Sequence, residues 1–118
     1  MVEKYLEDSI GVLFELIPKG WERVVLYSEI DSMHYNVFFY VKYKSSYYQC
    51  YSLERLCGTT EDEVDQFTEK WYEIALKYKK REEWKAYTVS VENSGEFEIE
   101  YSYDEDFDLD SWKKKFLV

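Results

Sequence analysis

The sequence of 118 residues predicts an α+β fold, a single mostly antiparallel five-stranded sheet flanked by an N-terminal helix, a long central helix and a short C-terminal helix. Three observations carry this expectation. Two stretches place apolar residues at helical spacing, and five short stretches rich in β-branched and aromatic types read as strands. The links between neighbouring strands are mostly too short for the crossovers that parallel pairing requires.

Residues 3–17 form the first helical stretch, with Leu6, Ile10, Leu13 and Ile17 on one stripe and Phe14 beside it, ended by Pro18 and Gly20. WERVVLYSEI (21–30) is the first strand, and Asp31 and Ser32 suggest a turn. YNVFFYVKY (35–43) follows, with Tyr35, Val37, Phe39, Val41 and Tyr43 on one face. A third strand is expected at YYQCYSL (47–53), after Lys44 to Ser46.

The central helix lies within residues 58–83. Thr60 and Glu63 have capping-box spacing, and Val64, Phe67, Trp71, Ile74 or Ala75, and Tyr78 recur at the helical period. Its charges run from Glu61, Asp62, Glu63 and Asp65 to Lys77, Lys79, Lys80 and Arg81, which complements the helix dipole.

AYTVSV (86–91) and EFEIEYSY (96–103) form a hairpin around Asn93, Ser94 and Gly95. In the second of these, Phe97, Ile99, Tyr101 and Tyr103 alternate with Glu96, Glu98, Glu100 and Ser102, giving one core face and one ladder of carboxylates in solvent. Asp110 or Ser111 is expected to cap the last helix, which carries Trp112 and Phe116. A chain of this size forms one domain spanning residues 1–118.

The start of the chain has neither a basic leader nor an unbroken apolar run, because Glu7, Asp8 and Glu15 interrupt it. A soluble cytoplasmic protein is therefore expected, with no membrane partner. Cys50 and Cys57 are expected to remain reduced thiols.

The formal net charge is −10, and the segment from Glu92 to Asp110 holds nine acidic residues with no Lys or Arg. Direct nucleic-acid binding is disfavoured, since phosphates require a basic patch. A basic protein partner is favoured.

The chemistry inside that segment is tested by YSYDEDFDLDSW (101–112). Asp104, Asp106 and Asp108 match the first ligands of an EF-hand, but Leu109 stands where glycine makes the sharp turn and Lys115 where the bidentate Glu belongs. No pair of carboxylates is singled out for acid and base catalysis. His34 is the lone histidine, no nucleophile elbow, P-loop, zinc motif or C-x-x-C occurs, and no cofactor, metal or catalytic residue is expected.

Binding is the remaining reading. Glu96, Glu98, Glu100, Asp104, Glu105, Asp106, Asp108 and Asp110 are the candidate anionic contacts, with Trp112 supplying dehydrated surface and tyrosines such as Tyr40, Tyr47 or Tyr48 widening it. An acidic adaptor or regulator would use the same features. Whether the free chain is a monomer or an oligomer is left open.

The run IPKGWERVVLYSEI followed by YNVFFYVK resembles the opening of the YezG-like immunity proteins. The similarity continues through DEVDQFTEKWYEIALKYKKREEWKAYTVSVENSGEFEIEYSYDE and covers about residues 5–117. It is carried by Trp21, Val24, Leu26, Tyr27 and Glu29, and by Phe97, Ile99, Tyr101, Tyr103 and Asp104. The resemblance implies a cytoplasmic bacterial antitoxin that binds the nuclease domain of a secreted polymorphic toxin, of a kind whose relatives travel the type VII route.

Overall fold

A computed structural model describes residues 4–30, 35–78, 85–103 and 107–118, with side chains other than those of residues 4–8, 77 and 78. The order is α1 (Lys4–Leu13), β1 (Arg23–Ile30), β2 (Tyr35–Tyr43), β3 (Ser46–Gln49), a 3-10 turn (Cys50–Ser52), α2 (Leu53–Cys57), α3 (Glu61–Tyr78), β4 (Ala86–Glu92), β5 (Phe97–Ser102) and α4 (Leu109–Phe116). The five strands form one antiparallel sheet in the order β3-β2-β1-β4-β5. The fold is the α+β class that the sequence predicts. The turn at Asp31 and Ser32, His34, and Lys79, Lys80 and Arg81 lie outside what is described, as do the side chains of Leu6, Lys77 and Tyr78.

Alternation along the strands builds two layers. Leu26 pairs with both Phe39 and Val89, and Val89 with Ile99, so these residues share a face. That face meets Ile10, Leu13 and Ile17 from the N-terminal segment and Val64, Phe67, Trp71 and Ala75 from α3. Of the two candidates in the central helix, Ala75 is buried and Ile74 is intermediate. The stripe of α3 thus follows the predicted period. Inside this core the Trp71 indole N–H donates to Tyr87 Oη at 3.0 Å and lies 3.2 Å from Ser28 Oγ.

The opposite face carries the expected solvent-facing carboxylates on β5, where Glu98 and Glu100 are exposed, but it is covered at its centre. Its centre, Val25, Tyr27 and Ala86, packs against Trp112 of α4, with Phe38, Tyr40 and Tyr47 around it. Trp112 donates its N–H to Thr88 Oγ1 at 2.9 Å. The cause lies in the apolar run Val24–Tyr27, buried throughout, which leaves neither face of β1 able to meet water.

Local chemistry sets the boundaries. The first helix ends at Leu13 rather than at residue 17, and Glu15 and Leu16 bond back to Val12 and Leu13 in tightened turns. Pro18 keeps the helix from continuing through Ile17, because it disfavours helical geometry at the residue before it. Strand β1 starts at Arg23, after Trp21 has stacked on Phe14 with ring centroids 5.0 Å apart.

The predicted third strand over 47–53 is corrected most. Pairing stops at Gln49, whose side chain accepts from Tyr51 N at 2.8 Å and turns the chain into the 3-10 segment and α2. Cys50 and Leu53 are then buried three residues apart, a helical and not a strand spacing. Gly58, at φ 82, closes α2 by donating to Glu54 O. The link between β2 and β3 is a two-residue turn in which Lys44 and Ser45 both take positive φ, held by Ser45 N donating 2.7 Å to the Glu22 carboxylate.

Candidate functional site

Strand β5 lies at the edge of the sheet and pairs with β4 alone among the described residues. Phe97 and Ile99 face the α1/α3 layer and are half-buried, while Glu98 and Glu100 face the α4 side and are exposed. Glu96, exposed, precedes the strand in the turn closed by Glu92 N donating to Glu96 O and Gly95 N to Glu92 O.

Beside β5, α4 forms the second wall of an open groove of about 690 Å³, lined by residues that include Arg23, Ser90, Glu98, Glu100 and Lys115. Two carboxylates in and beside it, Glu100 of the lining and Glu92, already have partners. Lys115 Nζ lies 2.7 Å from Glu100 Oε1 across the groove. Arg23 Nε lies 3.2 Å from Glu92 Oε1, near enough to pair in charge but without a hydrogen bond of its own. The exposed Lys115 pair contributes at most about 1 kcal/mol, so a competing cation displaces it at little cost. Glu98 has no cationic partner among the described residues.

Asp108 caps α4, in place of the expected Asp110 or Ser111. Its carboxylate accepts from Ser111 N at 3.3 Å and Ser111 Oγ at 2.5 Å, which lowers its pKa below the ordinary aspartate value. Asp110 is exposed in the first turn, where the helix dipole favours a negative charge. Lys113, Lys114 and Lys115 follow at the other end of α4 and bound the acidic surface.

Of the other sequence candidates, Asp104, Glu105 and Asp106 lie outside the described residues. Trp112 is 7% exposed and belongs to the second core, so its ring is used inside the fold and not presented to a partner. Tyr40 and Tyr47 are drawn into the same layer, the Tyr47 hydroxyl donating to Val118 O at 3.1 Å. Tyr48, paired with Val41, lies on the opposite face of the sheet. Apolar surface close in sequence to the carboxylates is offered instead by Tyr103 and Leu109, both exposed, and by the exposed part of Phe107, whose ring also packs on Tyr27 at 4.3 Å. Their signal in the sequence was their interleaving with the acids, YDEDFDL.

No group of His, Cys, Asp and Glu among the described residues is arranged to hold a metal. His34 is outside the description. Cys50 is buried, which raises its pKa and keeps it a protonated thiol, and Cys57 is exposed and unbridged. A separate apolar recess of about 320 Å³ between α1 and α3, lined by residues that include Val12, Leu16 and Trp71, lies on the other layer from the acids. No helix among the described residues is long and apolar enough to cross a membrane.

The sequence matches the family model described as immunity protein YezG-like over residues 3–117. It is 29% identical over 99 residues to the immunity protein YezG of Bacillus spizizenii, a match that spans 77% of this chain and 62% of that protein.

Proposed function

The chain belongs to the YezG-like immunity protein family, and we propose that it acts in the cytoplasm as the stoichiometric inhibitor of a toxin's nuclease domain. An immunity protein acts by binding and not by turnover, in accord with the expectation that the chain is not an enzyme.

The observation that carries the proposal is the exposure of Glu96, Glu98, Glu100, Asp108 and Asp110 along one stretch that contains no Lys or Arg between residues 92 and 110. A nuclease presents cationic side chains to phosphates. An inhibitor that sets carboxylates where phosphates would lie competes for that surface, and complementary charge speeds the encounter. Asp104, Glu105 and Asp106 extend the proposed surface on their sequence position, and Tyr103, Phe107 and Leu109 supply its apolar part.

The test is to identify the toxin by pull-down and measure its nuclease activity and binding with a neutralised inhibitor. Glu98, Asp104, Asp106 and Asp110 are changed to their amides, and Asp108 is kept because it caps α4. Association is expected to slow about tenfold and to lose much of its salt dependence, with the circular dichroism spectrum unchanged. Unaltered association would remove this segment from the mechanism. Recovery of a partner without nuclease activity would favour an adaptor.

A further inference from the structure

We propose that the outer edge of β5 receives an extended segment of the protein partner as a sixth strand, and that this segment alternates basic with apolar residues. The inference rests on the binding function proposed above and assigns it a geometry.

The backbone supplies the first half of the argument. Glu92 and Glu96 oppose one another in the hairpin, and Glu92 N donates to Glu96 O at 2.9 Å. In an antiparallel pair, inward-bonded and outward-facing residues alternate. The N–H and C=O groups of Glu98 and Glu100 therefore point to β4, and those of Phe97 and Ile99 point away from it. Among the described residues no strand pairs with that outer side.

The side chains supply the second half. Residues opposite one another on paired strands share a face. A residue opposite Phe97 or Ile99 would extend the apolar layer, where both are half-buried for want of a further strand. A residue opposite Glu98 or Glu100 would enter the groove beside α4, whose lining sets Glu98 and Glu100 beside Arg23 and Lys115; a Lys or Arg there meets Glu98 directly and exchanges with Lys115 at Glu100.

Charge decides which occupant fits. Natural edge strands carry charges to prevent uncontrolled pairing, and two copies of β5 pairing with each other would bring Glu98 and Glu100 against the same carboxylates. That repulsion rejects self-association and leaves a basic strand as the complement. The other sheet edge, β3, is only four residues long, and the hydroxyl of its Tyr47 is bonded to Val118.

The probe is a short synthetic peptide of alternating lysine and valine, added at millimolar concentration to the full chain, with a glutamate and valine peptide as control. Residue-resolved amide exchange is the readout. Exchange at Phe97 and Ile99 is expected to slow about tenfold with the basic peptide and to be unchanged with the acidic one. Glu98→Lys is expected to abolish the protection. Ile99→Pro, which removes an outward donor but no bond to β4, is expected to abolish protection at Phe97, the remaining outward amide of the pair, with β4 amides still protected.

Absence of protection at Phe97 and Ile99, equal protection by both peptides, or protection confined to β3 would overturn the proposal. Exchange measured on the complex with the captured toxin separates the two levels. Inhibition with freely exchanging Phe97 and Ile99 amides sinks the strand pairing and leaves the immunity function standing. Protection by the basic peptide with no toxin inhibited leaves the edge site standing and removes the function.

Discussion

Trp112 sits where two roles compete. Its ring lies 5.2 Å from that of Phe38 and 6.0 Å from that of Tyr27, and its indole N–H has Thr88 Oγ1 as acceptor. Aromatic residues are common anchors at interfaces, but a ring with this packing is already dehydrated and its polar atom already bonded. Trp112→Ala is therefore expected to destabilise the fold by about 3–5 kcal/mol, read as a lower urea midpoint. Any loss of partner binding should then follow the unfolded fraction and disappear at temperatures where the variant is folded. Tyr103 is 60% exposed, so Tyr103→Ala should leave the urea midpoint within about 0.5 kcal/mol of the parent while weakening association. A stable Trp112→Ala protein that binds poorly would reverse this assignment.

At the level of elements, caps hold the ends of two helices by different chemistry. In α3, Glu63 N donates to Thr60 Oγ1 at 3.2 Å while Thr60 N donates to Glu63 Oε1 at 3.0 Å. Thr60→Ala is expected to cost about 1 kcal/mol, seen by chemical denaturation. In α4 the cap is a carboxylate with a lowered pKa, so it contributes stability above the ordinary aspartate value of about 3.9. That contribution is lost as pH falls through the lowered pKa, because protonation removes the acceptor of the Ser111 bonds. Acid should loosen α4 before the sheet, and Asp108→Ala should remove that step from a titration of Trp112 fluorescence. The sequence displayed the strands, the α3 stripe and its capping box because each repeats locally within a few residues. It concealed α2 because CYSLERL offers bulky residues compatible with a strand, and the bond from Tyr51 N to Gln49 that breaks the strand depends on a rotamer. The second core was half legible, in the unbroken run Val24–Tyr27, but its lid is α4, more than 80 residues on. The acidity of the site was plain from composition. Which carboxylates are engaged was not, since Lys115 reaches Glu100 across 15 residues and only the fold brings them together.

For the whole molecule the governing quantities are a charge of −10 and extents of 38 × 27 × 25 Å. The screening length is about 30 Å at 0.01 M salt and about 8 Å at 0.15 M. In dilute salt an approaching basic partner therefore experiences nearly every charge on the protein, whereas at physiological salt it responds to those beside its own path. Glu98 lies on the α4 side of the sheet and Glu69 is exposed on α3, which packs on the other side. Changing either to glutamine removes the same unit of charge. At 0.01 M both variants should slow association by similar factors, about twofold. At 0.15 M the Glu69→Gln rate should return to that of the parent while Glu98→Gln stays slow. Stopped-flow association with the captured toxin domain reads both rates. Equal sensitivity at both salt concentrations would mean that the partner is drawn by net charge alone, and that the carboxylates of β5 are not where it lands.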